Sequence, residues 1–162
     1  MDTREAFNAL VGNLEYPMFI VTARAQDEPL GCLVGFATQV SIDPPRFLAC
    51  LSHENRTYRR GRDAELLGVH CVPENGQRIA ELFGGETGDE VDKFARAAWH
   101  EGPHGVPILD DCPNWFVGRV IWRCEGGDHD AFLLEPVAAE RGSREDEFTF
   151  HRAKRIDAGH EA

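Results

Sequence analysis

The sequence predicts a mainly β protein, an antiparallel barrel or sandwich with a few peripheral helices. Apolar, strand-like segments recur along most of the chain, whereas helical spacing of apolar residues is confined to short segments. Residues 32–42 and 46–52 are two such strand-like segments, and they are joined by Asp43-Pro44-Pro45, whose prolines lack the N–H that a β-ladder needs. Residues 115–124 and 130–138 flank a glycine-rich loop and form the second predicted antiparallel pair.

Local patterns predict the remaining elements in chain order. Apolar residues at helical spacing predict a helix over residues 2–14, which we expect to pack on one end of the barrel. The other predicted elements are a strand over 18–23, a polar turn over 24–28, a helical turn or two over 57–67, a strand over 68–72, a helix over 77–83, a charged connection over 142–147 and a short strand over 148–150.

A further helix is predicted over residues 89–99. Thr87 and Glu90 have the spacing of a capping box, and an apolar stripe follows at helical spacing. Residues 101–113 are rich in glycine, proline and aspartate and predict a surface loop. His100 and His104 are spaced like metal ligands on a helix, but the intervening glycine and proline prevent that helix, so no metal site is predicted.

Composition restricts the classes of function. The 28 Asp and Glu outnumber the 17 Lys and Arg, which argues against nonspecific nucleic-acid binding. The N-terminus lacks a signal pattern, and no apolar run approaches the roughly 20 residues that span a bilayer, so we expect a cytoplasmic protein without membrane association. The five cysteines predict core thiols rather than a disulfide frame. The length predicts one domain over residues 1–162, with 143–162 as an extension that packs on or trails the barrel.

Two adjacent segments are candidates for ligand binding. The first predicted strand leaves backbone uncovered at Gly31, Gly35 and Ala37, which allows a flat molecule to lie against its peptide groups. The turn that follows the second strand collects hydroxyls, an amide and four arginines over residues 52–62, and in an acidic chain this basic cluster indicates an anion site. The alternative for the turn is the capped start of a helix with a solvated arginine face.

Familiar catalytic motifs are missing from the sequence. It has no G-x-G-x-x-G between a strand and a helix and no P-loop, which argues against a Rossmann or Walker phosphate site. It also has no recognisable nucleophile-elbow serine or paired catalytic carboxylates. These gaps fit a protein whose bound cofactor carries the chemistry better than they fit a hydrolase.

Three motifs relate the sequence to one family. Ser41-Ile42-Asp43-Pro44-Pro45 forms the proline corner, Gly127-Asp128-His129 precedes an apolar strand, and residues 157–162 read Asp-Ala-Gly-His-Glu-Ala. In these motifs the chain resembles the flavin reductase-like proteins of the FMN-binding split-barrel family, and the resemblance covers nearly its whole length. It implies an antiparallel FMN-binding split barrel with peripheral helices. It also implies a homodimer, because family members build the flavin site at a subunit interface.

The resemblance implies where flavin binds. The isoalloxazine would lie against Leu33, Val34, Gly35, Phe36, Ala37, Thr38 and Gln39. The phosphate would be bound by Ser52, Asn55 and Thr57, with Arg56 or Arg59 as the countercharge. Phe94 would border the flavin, with core packing as the alternative. Many reductases of the family carry threonine and serine where this sequence has Leu33 and Phe36.

The resemblance also implies a catalytic role for His129. In reductases with a Gly-Asp-His motif, the imidazole lies beside the flavin and orients the nicotinamide, and hydride passes from nicotinamide C4 to flavin N5. Asp128 would orient the loop, and a purely structural histidine is the alternative. The implied function is NAD(P)H-dependent reduction of FMN, with FAD or the deazaflavin F420 possible and with NADH and NADPH left open. A monooxygenase could be the partner that receives reduced flavin. The alternatives are a flavin-binding protein without reductase turnover and another small-molecule oxidoreductase on the same fold.

Overall fold

The computed structural model describes residues 1–144 and 146–157. Within them the chain forms nine β-strands and four α-helices. The strands are β1 (Phe19–Ala25), β2 (Glu28–Val34), β3 (Ala37–Ser41), β4 (Arg46–Ser52), β5 (Leu66–Cys71), β6 (Trp99–Glu101), β7 (Pro107–Leu109), β8 (Asn114–Glu125) and β9 (His129–Arg141). The helices are α1 (Thr3–Gly12), α2 (Arg56–Gly61), α3 (Gln77–Gly85) and α4 (Phe150–Ala153).

Seven strands form one antiparallel sheet in the order β2-β1-β5-β8-β9-β4-β3. Its two edge strands, β2 and β3, are consecutive in the chain and are joined only by Gly35 and Phe36. Because three Cα–Cα steps of about 3.8 Å reach at most about 11 Å, the sheet must curl until its edges lie close together. The Cys50 N–H donates to Phe36 O at 2.8 Å and continues the β3–β4 ladder into this link. The predicted antiparallel split barrel is thereby confirmed.

Two layers of apolar side chains hold the barrel together. Its interior contains side chains from most strands, including Val21, Leu51, Val69, Phe132 and Leu134. A second cluster covers the outer face of β1 and β2, where α3 contributes Phe83. A Cβ at Gly84 would lie 2.5 Å from Leu33 Cδ2, so only glycine lets α3 approach β2 this closely.

The long strand predicted over residues 32–42 is two strands in the structure. β2 begins earlier, at Glu28, because Gln26 and Asp27 adopt φ angles of 50° and 68° and make a tight hairpin turn after β1. The strand then breaks at Gly35 and Phe36, where the chain crosses from one edge of the sheet to the other. Alternation of apolar residues cannot reveal such a crossing, because both halves keep an extended backbone.

The helix predicted over residues 89–99 is wrong. Thr87 does close one turn, since the Asp89 N–H donates to its Oγ1 at 3.3 Å. Within residues 89–99, however, the helical part is a 3₁₀ turn at Lys93–Ala95, capped by Asp92. The buried Lys93 ammonium donates to the carbonyl oxygens of Gly31 at 3.2 Å and Phe83 at 3.0 Å. These tertiary bonds and the burial of Phe94 fix an irregular path and override the capping signal.

Two further predictions need correction. The predicted surface loop over 101–113 contains most of a small hairpin, in which β6 pairs with β7 and Ile108 and Leu109 are buried. The strand predicted over 148–150 is reduced to one bridge between Pro17 and Thr149, after which α4 begins. The Asp110 carboxylate accepts a hydrogen bond from His100 Nδ1 at 2.6 Å, and the described residues contain no group of side chains arranged to bind a metal ion.

The N-terminal helix forms as predicted, but its expected packing on a barrel end is wrong. Asp2 and Glu5 make a reciprocal capping box, with backbone-to-carboxylate distances of 2.8 and 3.1 Å. No residue of α1 is buried, and Phe7 and Leu10 on its apolar face are exposed. The apolar face of α1 therefore lacks cover within the described part of the chain.

The remaining sequence predictions concern the cysteines, membrane-spanning helices and the C-terminal motif. All five cysteines are free thiols, but only Cys32 and Cys112 are buried, so the predicted core placement holds for these two. Among the residues described here, no helix is long and apolar enough to cross a membrane. The C-terminal motif over residues 157–162, which carried part of the family resemblance, lies outside the described residues except for Asp157, and Glu145 of the predicted extension lies outside them as well.

His70 on β5 is fully buried against β1 and β7. Its Nε2 accepts the Leu109 N–H at 3.1 Å, and its Nδ1–H donates to Ile20 O at 3.0 Å. This pairing requires a neutral ring, since one nitrogen accepts while the other donates. Burial lowers the pKa of His70 to about 4, against the opposing hydrogen bond to Ile20.

We expect the free energy of unfolding to decrease as pH falls from about 6.5 to about 4. Over this interval the unfolded chain protonates His70 while the folded ring stays neutral, so protons favour unfolding, and the effect levels off below the folded pKa. His70→Gln, whose amide can make both backbone bonds, should flatten this dependence, whereas His104→Gln on the surface should leave it as in the wild type. Urea unfolding at several pH values measures the slope, and an unaltered slope in His70→Gln would contradict the neutral buried ring.

Candidate functional site

The strand predicted to carry the flavin presents its side chains to two different environments. Val34 points into the barrel core and is buried, whereas Leu33 lies on the outer face beside α3. Beyond the break, Phe36 is 57% exposed, and Thr38 and Gln39 on β3 are exposed as well. Ala37 is partly buried and packs against the barrel core. The predicted seven-residue surface is therefore not one continuous face.

A cavity of about 230 Å³, here called the His129 cavity, lies on the outer face of β2. Leu33 lines one side, and Ser52, Asn55 and His129 line another. Residues from the ends of α3 and α4 complete the wall, including Gly84, Phe150 and Ile156. The structure thus brings together four of the residues that the sequence proposed for one site, from positions almost 100 residues apart in the chain.

His129 begins β9 and is held in a defined orientation. It pairs with Ser52 across the β4–β9 ladder, and its Nδ1 lies 2.7 Å from Asp128 Oδ1. The hydrogen bond from His129 lowers the pKa of Asp128, so this carboxylate is ionised at neutral pH and accepts a proton-bearing Nδ1. Nε2 is then the ring nitrogen that a ligand can contact. The Phe36 ring lies beside the imidazole, with 5.0 Å between ring centroids.

A second cavity, of about 500 Å³, adjoins the first and is here called the Arg56 cavity. Its wall includes Gly31 of β2, Arg56 and Thr57 of α2, and Phe94. Asn55 lines both cavities, so one elongated ligand or two neighbouring ligands could occupy them. The predicted ring surface and the predicted anion turn therefore correspond to two adjoining spaces.

The arginines predicted to bind phosphate are engaged in ion pairs. Arg56 donates to Glu28 Oε1 at 2.6 and 2.9 Å and to Asp89 Oδ1 at 3.0 Å. Arg59 donates to the other oxygen of Asp89, and Arg60 lies 3.2 Å from Glu28 Oε2. The bonds to Glu28 and Asp89 raise the pKa of Arg56, and the bond from Arg59 lowers the pKa of Asp89. In this structure the guanidinium groups are oriented but already paired.

Phe94 packs in the core and also lines a cavity, and its place beside a flavin stays a prediction. Its ring packs edge-on against Phe83 and Trp99, with centroid distances of 5.5 and 5.3 Å, and it also lines the Arg56 cavity. Burial lowers the pKa of the neighbouring Lys93.

Thr57 is buried beside the Cys32 thiol, and Ser52 Oγ accepts the Glu54 N–H at 3.2 Å. Gln39 lines neither of the two cavities.

The sequence reasoning missed a buried carboxylate directly after the Gly-Asp-His motif. Asp130 is 1% exposed; its Oδ1 lies 2.7 Å from His53 Nε2, and its Oδ2 accepts the Tyr58 hydroxyl at 2.9 Å. Burial raises the pKa of Asp130, but the bonds to His53 and Tyr58 outweigh burial, and the pKa lies below its usual value. The signal was present, because Asp130 alternates with the core residues Phe132 and Leu134 along β9, and a buried carboxylate needs partners.

The comparisons with known proteins agree with this fold. Residues 11–158 match the family model described as the flavin reductase like domain. The chain therefore belongs to the flavin reductase-like family. The crystal structure of a flavin reductase domain protein from Arthrobacter sp. FB24 shares the fold, with a TM-score of 0.83 and 21% identity over 92% of this chain and 91% of that one.

Relatives of known sequence cover most of the chain. The reductase component of 4-nitrophenol 4-monooxygenase/4-nitrocatechol 2-monooxygenase from Rhodococcus opacus is 31% identical over 137 residues, or 85% of this chain and 72% of that protein. The FMN reductase (NADH) RutF of Ancylobacter novellus is 28% identical over 158 residues, or 97% of this chain and 87% of that protein. The chain spans only 42% of the length of a third relative, named "Probable flavin reductase", from Rhizobium meliloti, at 31% identity over 138 residues, or 85% of this chain.

Asp130→Asn should lower the free energy of unfolding at neutral pH by about 1–3 kcal/mol, because two hydrogen bonds to a buried charge are weakened. Since the folded pKa of Asp130 is depressed, its contribution is present above the unfolded-state value of about 3.8 and is lost as pH falls through the folded pKa. The difference between variant and wild type should therefore shrink in acid. Urea unfolding measures it, with Asp128→Asn on the exposed neighbour as a control that should stay close to wild type. A difference that does not depend on pH would contradict an ionised Asp130.

Proposed function

We propose that the protein is an NAD(P)H-dependent flavin reductase that transfers hydride from reduced nicotinamide to flavin, with FMN as the leading candidate. The observation that carries the proposal is the His129 cavity, where Leu33, Ser52, Asn55 and His129 meet beside α3. The relatives named as an FMN reductase (NADH) and as a monooxygenase reductase component support the same activity.

The residues present fit a flavin. Leu33 offers an apolar wall and Ser52 a polar group in the His129 cavity, and Asn55 places a second polar group at the border of the two cavities. Flavin supplies the hydride-accepting chemistry when bound. The protein's share is then to bind the ring against β2, to exclude water with α3 and α4, and to orient the nicotinamide through His129 Nε2. Such alignment lowers the activation barrier by several kcal/mol in oriented systems.

One observation favours a flavin-binding protein without reductase turnover as the second candidate. The Phe36 ring lies 5.0 Å from that of His129, where it covers part of the imidazole. Such cover would hinder the approach of a nicotinamide while leaving the flavin surface of β2 intact. An oxidoreductase that uses F420 would share this arrangement.

We also propose that the protein works with partners. The Rhodococcus relative is the reductase component of a monooxygenase, which supports a monooxygenase as the acceptor of reduced flavin. A homodimer is supported by the uncovered edge of the barrel. Residues 38–40 of β3 are exposed on both faces of the strand, and Ile42, which follows β3, is 85% exposed. An edge strand with exposed apolar side chains is a common subunit interface.

Anaerobic mixing tests the activity. Protein with bound FMN should lose the visible absorbance of oxidised flavin on addition of NADH or NADPH much faster than free FMN does, and the faster nucleotide identifies the donor. His129→Ala should slow this step or raise the KM for the nucleotide by about tenfold or more, because alignment is lost. FMN affinity should stay near the wild-type value.

The controls separate the alternatives. His104→Ala, on the surface of the β6–β7 hairpin, should behave as the wild type. Equal losses of FMN affinity and of reduction in His129→Ala would show a structural histidine. Tight FMN binding without reduction by either nucleotide would favour the second candidate over the reductase.

Sedimentation velocity tests the homodimer. Ile42→Asp should shift the protein toward monomer, because a charge placed in an apolar interface loses its hydration. Ile42→Val keeps the apolar character and should leave the association unchanged. A wild type that sediments as a monomer at micromolar concentration would contradict the proposed interface.

A further inference from the structure

In the Arg56 cavity, a carboxylate of the protein itself already binds the arginines that were predicted to bind the phosphate. Asp89 joins two arginines of α2, with Oδ1 accepting from Arg56 at 3.0 Å and Oδ2 accepting from Arg59. Glu28 takes the remaining nitrogens of Arg56 from the opposite side, at 2.6 and 2.9 Å. Among the described residues, Arg59 forms its ion pair with Asp89.

The other charges around the cavity do not restore a positive potential. Glu90 and Asp92 also line its wall, close to Asp89 in the same segment. Lys93 is the other cation of the wall, but its ammonium is buried and donates to the carbonyl oxygens of Gly31 and Phe83. A phosphate that entered the Arg56 cavity would therefore meet the Arg56 guanidinium with its charge already compensated by Glu28 and Asp89.

We propose that Asp89 is a specificity-determining residue: by occupying Arg56 and Arg59, it removes the advantage that a terminal phosphate gives to FMN over riboflavin. The inference rests on the proposed function, because it takes the adjoining cavities as the flavin site. A dianionic phosphate must displace the Asp89 carboxylate before it can bind these arginines, and the two exchanged interactions are of the same kind. Riboflavin, which lacks the phosphate, requires no exchange.

The magnitude of the effect follows from the exposure of these groups. The Asp89 and Arg59 side chains are 38% and 47% exposed, so their pair is partly screened by water. Freeing the arginines should therefore strengthen FMN binding by about three- to tenfold, the range between an exposed ion pair and a charge-assisted hydrogen bond. Riboflavin affinity should not change, because riboflavin carries no charge that the arginines can bind.

Fluorescence titration of the purified protein with riboflavin and with FMN tests the proposal. The wild type should bind both with dissociation constants within about threefold of each other. Asp89→Asn should bind FMN about three- to tenfold more tightly, with unchanged riboflavin affinity, and Asp89→Glu should restore the wild-type ratio. Glu90→Gln removes a neighbouring negative charge that has no ion pair with these arginines, and it should leave the ratio near that of the wild type.

The single variant Arg59→Ala tests the same proposal without depending on whether Asp89→Asn folds. In the wild type, Arg59→Ala should leave the FMN-to-riboflavin ratio unchanged, because Asp89 occupies that guanidinium; in the Asp89→Asn background it should abolish part of the FMN gain. A fivefold selective loss of FMN in Arg59→Ala alone would overturn the proposal, as would equal gains for both flavins in Asp89→Asn. A wild type that binds neither flavin would refute the flavin site itself, and with it this inference.

Discussion

The two-residue link between β2 and β3 is the constraint on which the site depends. Gly35 and Phe36 join the opposite edges of a seven-stranded sheet, so the sheet cannot flatten without breaking the chain. The resulting curl brings the outer face of β2 beside the end of β4, where Ser52 pairs with His129. Residues that are distant in sequence therefore line one cavity because of chain connectivity. The close contact at Gly84 holds α3 against the same cavity.

The end of β9 that carries His129 is held in place by contacts on the opposite face of the same strand. Successive side chains of a strand point to opposite faces, so His129 faces the cavity while Asp130 faces the barrel interior. His53 and Tyr58 bind the Asp130 carboxylate, and the His53 N–H donates to Asp128 O at 2.9 Å. The imidazole is thus carried on a braced strand end rather than on a free loop, which is the arrangement that precise orientation of a ligand requires.

The parts of the fold that sequence predicted rest on local chemistry. The proline corner after β3 and the glycine-rich loop before β9 end strands through their own residues, and both strand pairs were confirmed. The helix over residues 89–99 failed because distant partners decide its path, namely the carbonyl oxygens of Gly31 and Phe83 for Lys93. The same limit applies to the site. The sequence proposed His129 and Asn55 as site residues, but it did not predict the hydrogen bond between His53 and Asp130. That bond joins residues 77 positions apart, and its only local signal is a carboxylate at a core position.

The arginine cluster shows why charge cannot be assigned to a ligand from sequence alone. Counted along the chain, the residues after β4 form a basic patch in a protein of formal net charge −11. In space, Glu28 and Asp89 approach from 28 and 33 positions away in sequence and bind the same guanidinium group of Arg56. Asp89 also attaches the irregular segment over residues 87–92 to α2, so it shapes the cavity wall as well as its potential. Shape and charge selectivity are coupled at this site, because any anion strong enough to displace Asp89 also releases the segment that Asp89 anchors.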